Sequence, residues 1–162
     1  MRYYMLNKPA GFVTACRDAR HKTVMDLFPD ELRAGLFPVG RLDRDTEGLL
    51  FVTDDGRFSH LLTEPSHRVG KTYFFYALGT LDEEKCRALE TGVAIFPDRQ
   101  RRTLPARAER LGVYPFRKIP PIPGEDPALL QKTRRGDLPV SAARLTVTEG
   151  KRHQIKRMVA LR

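Results

Sequence analysis

From Gly40 to Val52 the chain reads Gly-Arg-Leu-Asp-Arg-Asp-Thr-Glu-Gly-Leu-Leu-Phe-Val, a charged loop that runs directly into a short apolar strand. An apolar run of this length, bounded by turn residues, is consistent with a buried strand. The loop ahead of it is therefore carried on a rigid support. Within that loop Asp43 stands between Arg41 and Arg44. Opposite charge on both sides favours the ionised carboxylate, so the segment presents a preorganised acidic group. An Arg-Leu-Asp triplet taken alone is usually just a surface ion pair. The residues around it have to decide between the two.

A chain of 162 residues fits one domain and can bury a core without disulfides or metals. Cys16 and Cys86 lie far apart, and His21, His60, His67 and His153 are scattered. No spacing of a zinc or redox site occurs, so two reduced thiols and no metal are expected. The start, Met1-Arg2-Tyr3-Tyr4, has no apolar signal core, and no apolar run reaches membrane-spanning length. A cytoplasmic, monomeric protein is expected. Its net charge of +9 is unevenly placed: residues 1–98 hold 13 Lys and Arg against 15 Asp and Glu, residues 99–162 hold 16 against 5. The second part is suited to a polyanion, with nucleic acid the first candidate and a solvated basic surface the plain alternative.

Tyr3–Leu6 and Phe12–Thr14 read as short strands around an Asn7-Lys8-Pro9-Ala10-Gly11 turn. Thr23 and Asp26 read as the cap of a helical turn. Asp54-Asp55-Gly56 turns the chain into a short helix with Phe58, Leu61 and Leu62 on one face. Lys71–Gly79 is a strand by propensity. Thr80-Leu81-Asp82-Glu83 reads as a capping box for a helix ending at Gly92. Six prolines between Tyr114 and Pro139, with Lys132, Arg134 and Arg135 among them, predict a long basic loop over about residues 114–140. The alternation of Ala143, Leu145 and Val147 predicts a half-buried strand, and Ile155, Met158 and Val159 an amphipathic helix starting at Arg152. Lys151, Arg152, Lys156 and Arg157 would crowd that helix start, where the macrodipole favours negative charge. An anion held there would explain the arrangement; a solvated basic helix is the alternative.

Four blocks, Met5–Gly11, Gly40–Gly56, Lys71-Thr72-Tyr73 and Glu149–Met158, resemble in order the motifs of the pseudouridine synthases, specifically the RsuA-like branch that modifies ribosomal RNA. The resemblance implies an α+β fold on a mixed, mainly antiparallel sheet flanked by helices and loops. It covers residues 1–162 as a single catalytic domain. The implied activity is isomerisation of one uridine of ribosomal RNA to pseudouridine, without a cofactor. By the same resemblance Asp43 is the catalytic carboxylate, as nucleophile or base; Tyr73 is the active-site tyrosine; Lys156 takes the place of the Lys or Arg that pairs with the aspartate. Arg41 would complete the charged pocket. Asn7 and Lys8 would support the loop from a neighbouring strand, a plain turn being the alternative. Lys8, Arg41, Lys71, Arg152, Arg157, Lys132, Arg134 and Arg135 are the residues expected to meet RNA.

Many relatives carry an RNA-binding module ahead of this domain, whereas here Leu6-Asn7-Lys8-Pro9 begins almost at Met1, so RNA capture is expected to rest on the domain itself. The family's chain also continues past Lys156-Arg157-Met158, so further sequence beyond Arg162 is expected. Thr53–His60 and Pro65-Ser66-His67 resemble small-subunit enzymes most; a large-subunit enzyme and a catalytically silent RNA-binding assembly factor are the alternatives. A nuclease would need paired metal-binding carboxylates or a His pair.

Overall fold

The computed structural model describes residues 1–95, 102–121 and 138–160, which fall into two compact units, Met1–His67 and Arg68–Arg162. The first holds strands β1 (Tyr3–Lys8), β2 (Phe37–Val39) and β3 (Gly48–Thr53), paired antiparallel in the order β1-β3-β2. Register sets Tyr4 opposite Val52 and Leu6 opposite Leu50. These side chains turn to one face and close a core with Val24, Met25, Leu36, Phe12, Phe28 and Leu42. Leu50 and Val52 are buried while Leu49 is 61% exposed. The apolar run is therefore a half-buried strand, as expected where an antiparallel sheet covers its core on one side.

Short helical turns tie the sheet together. Thr23 and Asp26 form a capping box on the 3₁₀ turn Val24–Leu27. A single turn, α1 (Asp30–Arg33), follows, and α2 (Gly56–Thr63) is capped by Asp55, which accepts from the Arg57 and Phe58 N–H groups. Phe58 meets Tyr3 and Phe51 edge-to-face, with centroids 5.2 and 5.7 Å apart, while Leu61 is left exposed. Phe12–Thr14 is not a strand. Val13 makes one isolated parallel bridge to Thr23, because Gly11 N–H turns to the Arg44 carbonyl instead, and β1 finds its partner in β3.

The second unit holds β4 (Lys71–Leu78), α2's successor α3 (Glu83–Thr91), β5 (Arg107–Pro115), β6 (Pro139–Val147) and α4 (Gln154–Val159). Its strands pair antiparallel in the order β4-β6-β5, with a bulge between Arg110 and Gly112. Leu81, Leu89, Val93, Ile95, Ala143, Leu145, Val147 and Met158 form its core. The α+β class holds, with the strands divided between two antiparallel sheets, one in each unit. The helix cap is Asp82 and not Thr80: its carboxylate accepts from Lys85 N–H at 2.9 Å. The basic stretch begins later than expected, since Tyr114 and Pro115 still belong to β5 and Pro139 opens β6. The two prolines face each other at the ends of their strands, where a missing N–H costs the ladder least. Lys132, Arg134 and Arg135 lie outside the described residues. No described helix is long and apolar enough to cross a membrane.

Asp54 fastens the chain's first residues. Arg2 donates to it through its backbone N–H at 2.7 Å and through Nε at 2.9 Å, and its guanidinium also reaches the Leu32 and Ala34 carbonyls. These hydrogen bonds, the backbone one foremost, hold the Asp54 carboxyl below the usual carboxylate range against a smaller upward push from burial. A carboxyl depressed in the fold contributes stability that is present above its unfolded value, about 4, and lost as pH falls through its folded value. Asp54→Asn should accordingly unfold at lower urea than the parent at pH 7. The two midpoints should converge as pH falls through the folded carboxyl's value, and a gap that persists once it is protonated would assign the loss to shape and not to charge.

Candidate active site

The loop between β2 and β3 is held from below along nearly its whole length. Gly40 and Gly48 bracket it at φ 75° and 115°, angles that side-chain-bearing residues rarely take. Between them a hydroxyl and an ammonium fix the backbone. The buried Thr14 hydroxyl donates to the Leu42 carbonyl at 2.8 Å and accepts the Leu42 N–H at 3.1 Å. Lys8, fully buried at the end of β1, donates through Nζ to the carbonyls of Pro9, Arg44 and Thr46 at 3.0, 3.1 and 2.7 Å. Gly11 N–H reaches the same Arg44 carbonyl at 2.8 Å, and Thr46 N–H closes a turn on the Asp43 carbonyl at 3.0 Å. Asp43 is thus fixed through both of its neighbours, with its own side chain half-buried and Arg41 and Arg44 exposed beside it.

Burial pulls the Lys8 ammonium below the ordinary lysine range, and the carboxylates of Asp45, Glu47 and Asp43 pull it back up. All three of its N–H donors have backbone acceptors. In this structure Lys8 thus braces the backbone of the loop from the end of β1.

In the second unit Lys71 and Tyr73 lie on β4. Lys71 Nζ reaches the Val69 carbonyl at 3.3 Å, and Tyr73 packs half-buried against the Leu145 core. The Glu149–Met158 block is pinned by two side chains that nothing in their local pattern separates from their neighbours. Glu149 accepts from Leu104 N–H at 2.8 Å and Gln154 Nε2 at 2.9 Å; buried Gln154 accepts Lys151 N–H at 2.8 Å. Lys151 closes on Glu149 at 3.1 Å. His153 sits at φ 51°, outside the helix, so α4 starts only at Gln154. Lys156 and Arg157 consequently occupy its last turn, where the macrodipole favours cations. The expected conflict between charge and dipole is eased for these two, while Lys151 and Arg152 still stand just ahead of the helix start. Arg152 and Lys156 are exposed and Arg157 is half-buried. Among the described residues no cluster of three His, Cys, Asp or Glu could hold a metal ion.

The family described as RNA pseudouridylate synthase matches residues 2–161, and the chain belongs to it. It is 39% identical to the ribosomal small subunit pseudouridine synthase A of Pseudomonas aeruginosa over 158 residues, 97% of this chain and 56% of that protein. Identity to the protein of the same name from Escherichia coli K12 is 31%, over 98% of this chain and 57% of that one. The RNA pseudouridine synthase YtzG of Bacillus subtilis is 38% identical over 96% of this chain and 55% of its own length. A crystal structure of pseudouridylate synthase superposes with a TM-score of 0.72 at 32% identity, covering 98% of this chain and 56% of that one. The chain thus spans about half the length of these relatives.

Thr14 and Lys8 generate the sharpest test of this loop. Thr14→Val leaves the Leu42 N–H and carbonyl without their partner and should cost about 1–3 kcal/mol, while Thr14→Ser keeps the hydroxyl and should recover most of it. Lys8→Met orphans buried carbonyls and should cost about 2–3 kcal/mol. Urea midpoints measure all three; equal stability of the Val and Ser variants would remove the hydroxyl from the account.

Proposed function

We propose that this chain isomerises a uridine of ribosomal RNA to pseudouridine, and that Asp43 is its catalytic carboxylate. The observation that carries the reading is the fixation of Asp43 from both sides, by Thr14 through Leu42 and by Lys8 through Arg44 and Thr46. A group that must act at one sugar carbon gains most from such positioning, because misplacement by about an ångström costs roughly 10²-fold in rate. Membership of the pseudouridylate synthase family supports the reaction. The names of the Pseudomonas and Escherichia relatives support the small-subunit RNA as the target.

The reaction breaks the bond from N1 of uracil to the anomeric carbon and joins C5 of the same base to that carbon. The C5 proton leaves to solvent and N1 gains one, so the product is an isomer of the substrate. Cleavage passes through an electron-poor, oxocarbenium-like sugar. An ionised Asp43 can add to the anomeric carbon or remove the neighbouring 2′ proton. Arg41, exposed two residues away, is suited to a phosphate of the target strand. Tyr73 and Lys156 carry the family's further assignments: the tyrosine ring to stack on the uracil drawn from its strand, the lysine to accompany the carboxylate.

Asp43→Asn keeps the size of the side chain and deletes its charge. It should fold and bind RNA like the parent but release no tritium from RNA labelled at C5 of uridine; release within tenfold of the parent would take Asp43 out of the mechanism. The chemistry as written uses no metal, so release should also persist in excess chelator with the RNA refolded beforehand. A loss restored by zinc and not by magnesium would sink that expectation.

A further inference from the structure

The second unit's sheet has a face that the site described above does not use. Side chains alternate across a strand, so Tyr73 and Phe75 turn to the core while Thr72, Phe74 and Tyr76 stand on the opposite side. Register sets Thr72 and Arg107 on either side of Thr146, and Phe74 and Glu109 on either side of Arg144. The Thr72 and Thr146 hydroxyls share a hydrogen bond of 2.8 Å, and Arg144 reaches Glu109 at 3.4 Å. Together Thr72, Arg107, Glu109, Arg144 and Thr146 line an open depression of ≈ 370 Å³, within the size range of small-ligand sites. Phe74 is the cross-strand neighbour of Arg144 on this face. Phe74 is 52% exposed and meets Tyr76 edge-to-face with centroids 4.9 Å apart.

Three features of this face specify its occupant. Phe74 offers a ring to a flat partner, and base-on-aromatic stacking is the main sequence-tolerant contact of single strands. Arg107, Arg144 and two hydroxyls offer donors to a phosphate, while the exposed Arg144–Glu109 pair, with both side chains 52% exposed, is weak enough for a phosphate to displace. A duplex hides its bases and cannot use the rings. We propose that this face docks a single-stranded segment of RNA, one or two bases stacking on Phe74 and Tyr76 and the adjoining phosphates lying over Arg107 and Arg144. The choice of polymer rests on the proposed function; the surface itself rests on the geometry. It gives the chain a contact with its substrate strand through residues other than those of the Asp43 loop.

Binding of a labelled single-stranded oligouridine of about twelve nucleotides, against its duplex, tests the surface across a salt series. Phe74→Ala should weaken single-strand binding about tenfold or more. Arg107→Gln and Arg144→Gln should each lower the salt slope by about 0.7. Glu109→Gln frees Arg144 and should tighten binding, an outcome that no purely structural role produces. All four residues are exposed, so the variants should fold, which far-ultraviolet circular dichroism checks. Parental single-strand affinity in both Phe74→Ala and Arg144→Gln, or equal losses on duplex, would overturn the surface, and tritium release in the parent would then show that the catalytic reading survives without it. Weakened binding by these variants with no tritium release from the parent would keep the surface and overturn the catalytic reading.

Discussion

A buried ammonium organises the loop that carries Asp43. Full burial of a lysine is rare because desolvation of the charge is costly, and Lys8 meets the cost with three backbone carbonyls and the nearby carboxylates of Asp45, Glu47 and Asp43. The loop needs such a donor. It connects two antiparallel neighbours without belonging to a ladder, so its inward carbonyls have no strand to receive hydrogen bonds from, and buried backbone groups without partners are rare. Lysine suits the position because its three donors radiate from one compact point; a planar guanidinium would have to be accommodated edge-on. The Asn-Lys-Pro turn and the Arg-Leu-Asp loop are for this reason a single piece of structure, although 36 residues separate Lys8 from Arg44.

What the sequence made legible was local. Thr23 with Asp26, Asp55 ahead of α2, and the β-branched and aromatic run of β4 announce themselves within three or four residues, the reach of a capping side chain or of a pleat. The importance of the Asp43 loop was legible too, through its charge pattern. A supporting place for Lys8 came only with the family resemblance, and the hold by Thr14 was not legible at all, because it acts over 28 residues and nothing in Thr14 distinguishes it from a surface threonine. Strand β5 escaped notice for another reason. Its burial runs exposed at Arg107, Glu109, Arg110 and Leu111, and a bulge shifts its register, so period-2 alternation is broken in the middle.

The Glu149–Met158 block shows how one backbone angle can redistribute charges along a helix. Four cations at the start of a helix oppose its dipole. With His153 held at a positive φ, the helix begins at Gln154, so Lys156 and Arg157 fall in its last turn while Lys151 and Arg152 stay ahead of its start. A residue other than glycine in this region is a mild strain that surrounding structure has to enforce. The enforcement is visible in the paired amide and carboxylate of Gln154 and Glu149 and in the Lys151 contacts to Glu149 and the Arg102 carbonyl. They fix the chain immediately before and after Arg152 and His153, so those side chains are presented from a braced turn and not from a helix face.

The two faces of the β4-β6-β5 sheet then follow from a single alternation. Ala143, Leu145 and Val147 give one side to the core, and the intervening residues are left to serve something else. On a surface kept only for solubility they would be charged or small, yet β4 places Phe74 there beside Tyr76 and β6 places Arg144 between Phe74 and Glu109. An exposed Phe74 against a half-buried Tyr76, next to paired charges, contributes little to folding, since exposed ion pairs are worth at most about 1 kcal/mol and an exposed ring returns little of its transfer energy. Retaining that combination on an otherwise well-packed sheet is more readily explained by a ligand with a flat apolar face and a negative backbone, and a nucleotide strand has both.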